Sequence, residues 1–257
     1  LSTVGMNVNT GTASFTINIE RTVSVEYFSF TTSDAEYNIM CKIRSMPNSA
    51  YLLDNADFAL GIVTGNNKEY ISDIKNENNE MILKGADICK YHITRTNNYI
   101  VFKPENFQQA APTEMYRSPE KLLYRFISSQ LVFAYDDKQT LSLYSCNIVI
   151  PRIPGIKIKY VLAILNSRIA QFIYKKEFNS VKVLRSHIEN IPIPTADAST
   201  QAEIIALTDK LISGLQADEA EKVYNELDLL VSKAFNLDSN EIEIINKAVE
   251  GDNKFLA

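Results

Sequence analysis

The chain has 257 residues, of which 46% are hydrophobic and 22% charged, and its formal net charge is −5. This composition excludes wholesale disorder, and no apolar run approaches the ~20 residues that cross a bilayer. The three cysteines are odd in number and far apart, which argues against a disulfide framework or a zinc site. We therefore expect reduced thiols in a cytoplasmic protein. Because the chain starts at Leu1 rather than Met, we interpret it as a fragment.

Charge is distributed unevenly along the chain. Residues 1–83 carry 5 basic and 10 acidic side chains, residues 84–185 carry 16 and 7, and residues 186–257 carry 5 and 14. Screening confines each charge to roughly 10 Å at moderate salt, so the local field matters more than the total. The basic middle favours a phosphate-binding surface, although folding could equally disperse these cations. Both interpretations stay open at this point.

Residues 1–50 are interpreted as a lead-in segment. Residues 14–20 and 23–30 alternate apolar and polar side chains, which predicts a β-hairpin. Asp34 can cap a short helix that runs to about Ile43, before Pro47.

Residues 51–195 are predicted to form a β-rich domain with one long helix packed against it. The helix runs from Ile158 to about Tyr174, with apolar residues along one side. After Pro194, residues 196–257 form a small helical appendage whose three amphipathic helices cover 199–216, 218–235 and 239–250 and have Ser199, Asp218 and Ser239 as caps. The predicted fold class is α+β. The predicted strands cover residues 58–63, 99–102, 131–135, 141–144 and 147–150.

Four segments in fixed order carry a family resemblance. They are the strand and turn Gly61–Gly65, the segment Ile82–Tyr91, the helix Tyr160–Arg168 and the exit segment Leu184–Pro194. Together they resemble the TaqI-like C-terminal specificity domain, the target-recognition domain of adenine-specific DNA methyltransferases and type IIG restriction-modification enzymes.

The resemblance implies a target-recognition domain that approaches duplex DNA together with a methyltransferase domain lying N-terminal to it. The cofactor S-adenosylmethionine would be bound by that missing domain. The helices after Pro194 look like the C-terminal tail of the family. The expected partners are double-stranded DNA and the methyltransferase domain of the parent protein, with or without a nuclease domain.

The sequence predicts no catalytic, cofactor-binding or metal-binding residue in this chain. It has neither a glycine-rich turn for S-adenosylmethionine nor the Asn/Asp-Pro-Pro-Tyr/Phe loop that grips a flipped adenine. No carboxylates and lysine have the spacing of a nuclease site. His92 and His187 are the only histidines, and no Ser or Cys occupies a nucleophile elbow.

The basic middle and its polar loops supply the residue types that read DNA. Arg and Lys contact phosphates, while Arg, Lys, Asn, Gln and Ser on loops contact base edges. The loops 64–68, 94–98 and 108–117 are the predicted places for base contacts. Arg117, Lys121 and Arg125 recur every four residues, so in a helix they would share one face. The candidate DNA-binding residues are Thr64, Asn66, Lys68, Lys84, Lys90, Arg95, Arg117, Lys121, Arg125, Lys182 and Arg185.

The sequence therefore predicts sequence-specific recognition of double-stranded DNA, as the specificity portion of a restriction-modification adenine methyltransferase. Two alternatives remain. The exit segment followed by residues 201–205 also fits half of a type I restriction specificity subunit. A protein-interaction scaffold without nucleic-acid binding would instead use the apolar faces of the C-terminal helices.

Overall fold

The computed structural model describes residues 5–9, 14–18, 32–94 and 96–251. Its first strands, β1 (Gly5–Asn9) and β2 (Ser14–Asn18), pair antiparallel. The predicted strand at residues 14–20 is thus present, while its predicted partner at residues 23–30 lies outside the described residues.

Helix α1 (Asp34–Arg44) begins one residue earlier than predicted, because its cap is Ser33. The Ser33 hydroxyl accepts the N–H of Glu36, whose carboxylate accepts the N–H of Ser33 in return. This capping box satisfies two of the N–H groups that a helix start leaves without partners.

The later strands are short and mostly lie in two four-stranded sheets. The first sheet has the order β4-β11-β8-β9 and is antiparallel throughout. The second has the order β10-β6-β7-β5, with β10 and β6 parallel. In chain order the strands are β3 (Ser49–Ala50), β4 (Ala56–Ala59), β5 (Ile71–Ser72), β6 (Glu80–Leu83), β7 (Tyr99–Ile100), β8 (Lys121–Arg125), β9 (Phe133–Asp136), β10 (Leu141–Ser142), β11 (Cys146–Pro151) and β12 (Ile193–Pro194).

The exit segment takes an extended path, as its prolines predict. Strand β12 pairs antiparallel with β3, with Ile193 opposite Ala50 and Pro194 opposite Ser49. This ladder ties the end of the β-rich region to its beginning. The remaining helices are α2 (Asn67–Tyr70), α3 (Thr113–Tyr116), α4 (Ile158–Asn166), α5 (Arg168–Ile173), α6 (Arg185–Glu189), α7 (Ala198–Ile212), α8 (Ala217–Ala234) and α9 (Ser239–Ala248).

The predicted long helix from Ile158 to Tyr174 is interrupted at Ser167. This residue has extended backbone angles, and its hydroxyl accepts the N–H of Ala170 to start α5. The side chain of Asn166 donates to and accepts from the backbone of Phe133 in β9. The Asn166–Ser167 pair therefore attaches the helix to the sheet.

The three predicted C-terminal helices are present as α7, α8 and α9, with different caps. Asp197 rather than Ser199 accepts the N–H of Thr200, and Asp238 rather than Ser239 caps α9. Helix α8 begins after Gln216 without a side-chain cap bond, so the prediction of Asp218 was wrong.

Two apolar clusters form the interior. The larger cluster joins the first sheet to α4, α5 and the C-terminal helices, and it includes Ile43, Leu52, Leu165 and Leu227. The smaller cluster lies between the two sheets. The α+β class is confirmed, whereas the domain boundaries at residues 50 and 195 stay predictions because all three segments contribute to the larger cluster. Over the described residues, no helix is both long and apolar enough to cross a membrane.

Candidate nucleic-acid interface

Lys121 is buried, so the prediction that it binds DNA is wrong for the folded chain. Its Nζ lies 2.8 Å from the carbonyl oxygen of Tyr116 and 2.5 Å from Oδ2 of Asp136. Burial lowers the pKa of Lys121, an effect that the Asp136 carboxylate opposes. Arg117, Lys121 and Arg125 do not share one face of a helix either, because Lys121 and Arg125 belong to strand β8.

Lys90 is also buried, at 1% exposure, and is excluded from phosphate contact in the same way. Its Nζ lies 3.2 Å from the carbonyl oxygen of Asn166 and 5.2 Å from the centre of the Tyr224 ring. Beside it, Arg168 forms an ion pair of 3.2 Å with Asp228, which is buried in α8. Lys90 therefore helps to hold the C-terminal helices.

Arg117 and Arg185 are engaged within the protein. The Arg117 guanidinium donates to both carboxylate oxygens of Glu80, at 2.8 and 2.7 Å, and lies over the Phe102 ring. Arg185 pairs with Glu189 at 2.7 Å, although its side chain is 60% exposed. Arg95 lies outside the described residues.

Folding neutralises part of the positive charge of residues 84–185. Cations of this segment pair with carboxylates that lie outside it, in the two acidic flanks. The net charge of a sequence segment therefore overstates the field that the folded surface presents. These ion pairs are Arg117–Glu80, Arg152–Asp57, Lys176–Glu36, Lys159–Asp209, Arg168–Asp228 and Arg185–Glu189.

Three of the predicted cations lie along one end of the sheets: Lys84, Arg125 and Lys182, hereafter the basic end. Gly85 donates its N–H to Oγ of Ser145, and the carbonyl oxygen of Ser145 accepts the N–H of Phe126, both at 3.1 Å. These two bonds bring Lys84, which precedes Gly85, close to Arg125, which precedes Phe126.

The same hydrogen-bonded ladder reaches Lys182. Its neighbour Val183 donates to the carbonyl oxygen of Phe126 at 2.8 Å, and Lys182 itself forms a bridge with Ile127. Lys182 is exposed, whereas Lys84 and Arg125 are half-buried. Folding therefore gathers into one area three cations that lie far apart in sequence.

Hydrogen bonds to neighbouring residues hold the side chains of Lys84 and Arg125 in the basic end. The Lys84 Nζ donates to Oδ1 of Asn98 at 2.6 Å, which places Asn98 beside it. The Arg125 guanidinium donates to the carbonyl oxygen of Ile88. Asp87 is the nearby acid, and its carboxylate accepts the backbone N–H of Lys84 at 2.7 Å.

The predicted loops 64–68 and 108–117 lie side by side, joined by two backbone hydrogen bonds between Val63 and Gln109 at 2.9 and 3.0 Å. Thr64 is 5% exposed and donates its hydroxyl to Asn67, so it shapes the turn rather than facing a ligand. We call the exposed polar residues here the amide loops: Asn66, Asn67, Lys68, Gln108 and Gln109. Glu69, Glu105 and Glu114 are also exposed nearby and weaken any positive field.

The amide loops are joined to the basic end through the segment 61–65. Ile62 forms a parallel bridge with Leu143, and its carbonyl oxygen accepts the N–H of Tyr144 at 3.0 Å. Leu143 in turn donates to the carbonyl oxygen of Leu83, the residue before Lys84, at 2.8 Å. The first amide loop therefore begins two residues after a segment that contacts the turn beside the basic end.

Within the described residues, no group of three or more His, Cys, Asp or Glu side chains could hold a metal ion. Burial lowers the pKa of both His92 and His187, and His187 stacks on Phe178 at 4.4 Å between ring centres. A cleft of about 760 Å³ is lined by Arg152, Lys157 and Lys159 and also by Ser118 and Glu120. The Ser118 hydroxyl donates to the backbone carbonyl oxygen of Glu120 at 2.8 Å.

The matched segment of a known family coincides with this region. Residues 80–193 match the family model of the TaqI-like C-terminal specificity domain. The resemblance is confirmed for these residues, while Gly61–Gly65 and the helices after Pro194 lie outside the match. No curated protein matches the chain.

Solved structures show where this fold occurs. The chain is similar to the type IIL restriction-modification enzyme MmeI, solved in complex with DNA, with a TM-score of 0.55, 10% identity, and coverage of 95% of this chain and 39% of that chain. The type IIG restriction endonuclease BpuSI is similar with a TM-score of 0.52 and 12% identity, and the match covers 95% of this chain and 35% of that chain. The HsdS subunit from Thermoanaerobacter tengcongensis matches with a TM-score of 0.43 and 15% identity, over 79% of this chain and 51% of that chain. The chain thus shares its fold with MmeI and BpuSI. It spans less than two thirds of each of the three proteins.

Proposed function

We propose that this chain recognises double-stranded DNA as the specificity portion of a restriction-modification adenine methyltransferase. The observation that carries the proposal is the family match over residues 80–193, which include all three cations of the basic end. In the proposed assembly, a methyltransferase domain of the parent protein binds S-adenosylmethionine and receives the flipped adenine. The chain itself supplies position and sequence preference.

The two polar surfaces have complementary tasks. Lys84, Arg125 and Lys182 meet phosphates and fix the register of the duplex, because cations bind the backbone regardless of sequence. The amide loops meet base edges, since Asn and Gln can bond adenine through two hydrogen bonds at once.

The test compares DNA binding by the chain and two matched double variants in fluorescence anisotropy, using a pool of duplexes. Lys84→Ala with Lys182→Ala removes two proposed phosphate contacts. It should weaken binding to all sequences and reduce the slope of log affinity against log salt by about 2. The control is Lys210→Ala with Lys222→Ala, which removes two exposed cations from the C-terminal helices.

Equal binding by the chain and both double variants would refute the basic end as the DNA interface. A chain that binds no duplex at low salt would refute the proposed function itself.

A further inference from the structure

The basic end contains exposed apolar side chains between its cations. Ile127 is 56% exposed and Tyr144 is 45% exposed, whereas most large apolar residues of both sheets are buried. Single exposed apolar residues are common and need no explanation. Here, however, backbone pairing places two of them directly beside Lys182 and Lys84.

Ile127 and Lys182 face each other across a short two-stranded ribbon of residues 126–128 and 181–183. Ser128 donates to the carbonyl oxygen of Val181 at 3.0 Å, and Val183 donates to that of Phe126 at 2.8 Å. These two bonds flank Ile127 and Lys182, which makes them a non-hydrogen-bonded pair. In such pairs the side chains come closest.

The ribbon turns this pair outward. Side chains alternate between the two faces of a strand, and Val183 is 1% exposed. Because Val183 points into the protein, Lys182 and its cross-strand neighbour Ile127 point to the other side. Both side chains are exposed there.

Tyr144 lies at the tight turn between β10 and β11, closed by a hydrogen bond from Cys146 to the carbonyl oxygen of Leu143. The next residue, Ser145, is bonded to Phe126 at the start of the ribbon and to Gly85. The turn therefore lies between the ribbon and Lys84, and it completes a surface of alternating apolar and cationic side chains.

We propose that this ribbon, together with Tyr144, enters the major groove of the duplex and reads thymine through its C5-methyl group. Ile127 and Tyr144 would pack on the methyl groups, while Lys182 and Lys84 would contact the flanking phosphates. The inference rests on the proposed function and deepens it by assigning specificity-determining residues.

Two physical arguments favour the major groove of duplex DNA as the place where the ribbon binds. The groove is about 12 Å wide and admits a two-stranded ribbon, and it is the groove in which the thymine methyl is displayed. Lys182 and Lys84, which lie beside Ile127 and Tyr144, carry the charge that complements the phosphates on either side of the groove. The Asp87 carboxylate also lies at this end, where it accepts the backbone N–H of Lys84.

The experiment first selects preferred duplexes from a random library with the 257-residue chain. Each thymine of the preferred site is then replaced by deoxyuridine, which removes only the methyl group. We expect about a fourfold loss of affinity at one or more positions, the value for one buried methyl-sized group. In Ile127→Ala or Tyr144→Ala the sensitivity at that position should disappear. Leu229→Ala, an equally exposed apolar change on α8, is the control and should retain it.

The outcomes separate this inference from the proposed function. Salt-dependent DNA binding with no deoxyuridine effect, or with the same effect in Ile127→Ala and Tyr144→Ala, overturns the thymine-reading role and leaves the proposed function intact. A wild-type chain that binds no duplex overturns both. Urea unfolding of each variant checks that a lost effect does not come from lost structure.

Discussion

At the scale of single residues, the lysines of the basic segment have two opposite fates. Lys121 and Lys90 are buried and bonded to groups of the protein, whereas Lys182 is exposed. The same side chain is structural in one position and available for a ligand in another, because burial decides which partners it can reach.

Lys121→Ala should destabilise the fold by about 3–5 kcal/mol, because it leaves the buried Asp136 carboxylate without its cation. Lys84→Ala, at a half-buried and solvent-accessible position, should change the free energy of unfolding by about 0.5 kcal/mol or less. Urea unfolding measures both changes. Equal stabilities of the two variants would contradict the assignment of Lys121 as a structural residue.

Burial also predicts the order in which the cysteines react. It raises the pKa of the Cys89 and Cys146 thiols, while Cys41 is exposed. Because the thiolate is the reactive species, a raised pKa means less thiolate at pH 8. Brief alkylation of the native chain should therefore label Cys41 first and Cys146 last, as read by mass spectrometry. Labelling of Cys146 as fast as Cys41 would mean that β11 is accessible in solution.

Gly85 is required where the basic end meets the 144–145 turn. A Cβ atom at this position would lie 2.5 Å from the carbonyl oxygen of Ser145, which is a backbone atom that cannot move aside easily. Gly85→Ala should cost about 1–3 kcal/mol of stability. It should also weaken DNA binding, because it displaces Lys84.

The matched control for Gly85→Ala is Ser145→Ala, which removes the hydroxyl acceptor of the Gly85 N–H without creating a clash. If Gly85→Ala binds DNA and unfolds as the unchanged chain does, the close approach of these segments does not exist in solution.

At the scale of elements, helix α8 is held to the recognition domain by a buried polar cluster. Asp228 accepts the backbone N–H of Arg168 at 2.9 Å in addition to its ion pair, and the Tyr224 hydroxyl donates to the carbonyl oxygen of Asn166 at 3.0 Å. Tyr91 packs edge-on against Tyr224 with a positive φ of 75°, a conformation that a tyrosine adopts only when its surroundings enforce it.

Asp228→Ala should destabilise the chain by about 3–5 kcal/mol, since it leaves the Arg168 guanidinium half-buried without its partner. Asp209→Ala breaks the exposed ion pair with Lys159 and should cost less than about 1 kcal/mol. Thermal or urea unfolding distinguishes the two. Similar small losses would mean that α8 is not held by this cluster.

The elements also show how far sequence reasoning reaches. Helical periodicity predicted the α4–α5 region correctly but not its interruption at Ser167, because apolar spacing continues on both sides and serine also occurs inside helices. Strand β8 was missed since four consecutive buried residues, Lys121–Tyr124, show no alternation. Ile127 and Tyr144 were missed as candidates because an apolar residue near a strand normally indicates core.

At the scale of the whole molecule, tertiary structure redistributes the charge that the sequence separates into blocks. Carboxylates of both acidic flanks pair with cations of the basic middle. The surface that we propose for DNA is therefore a small basic end rather than a continuous basic face. The amide loops contribute hydrogen bonds more than charge.

This distribution predicts a modest number of phosphate contacts. With the three cations of the basic end engaged, log affinity falls with log salt with a slope of about −2.7, and a rise from 50 to 200 mM weakens binding roughly 40-fold. A duplex of preferred sequence should bind more tightly than a scrambled one at every salt concentration.

The salt dependence of duplex binding by the 257-residue chain therefore tests the central claim most directly. Fluorescence anisotropy with a labelled duplex at 50 and 200 mM salt should give dissociation constants that differ by about 40-fold. Identical dissociation constants at the two salt concentrations, or no binding at 50 mM, would contradict DNA recognition through the basic end.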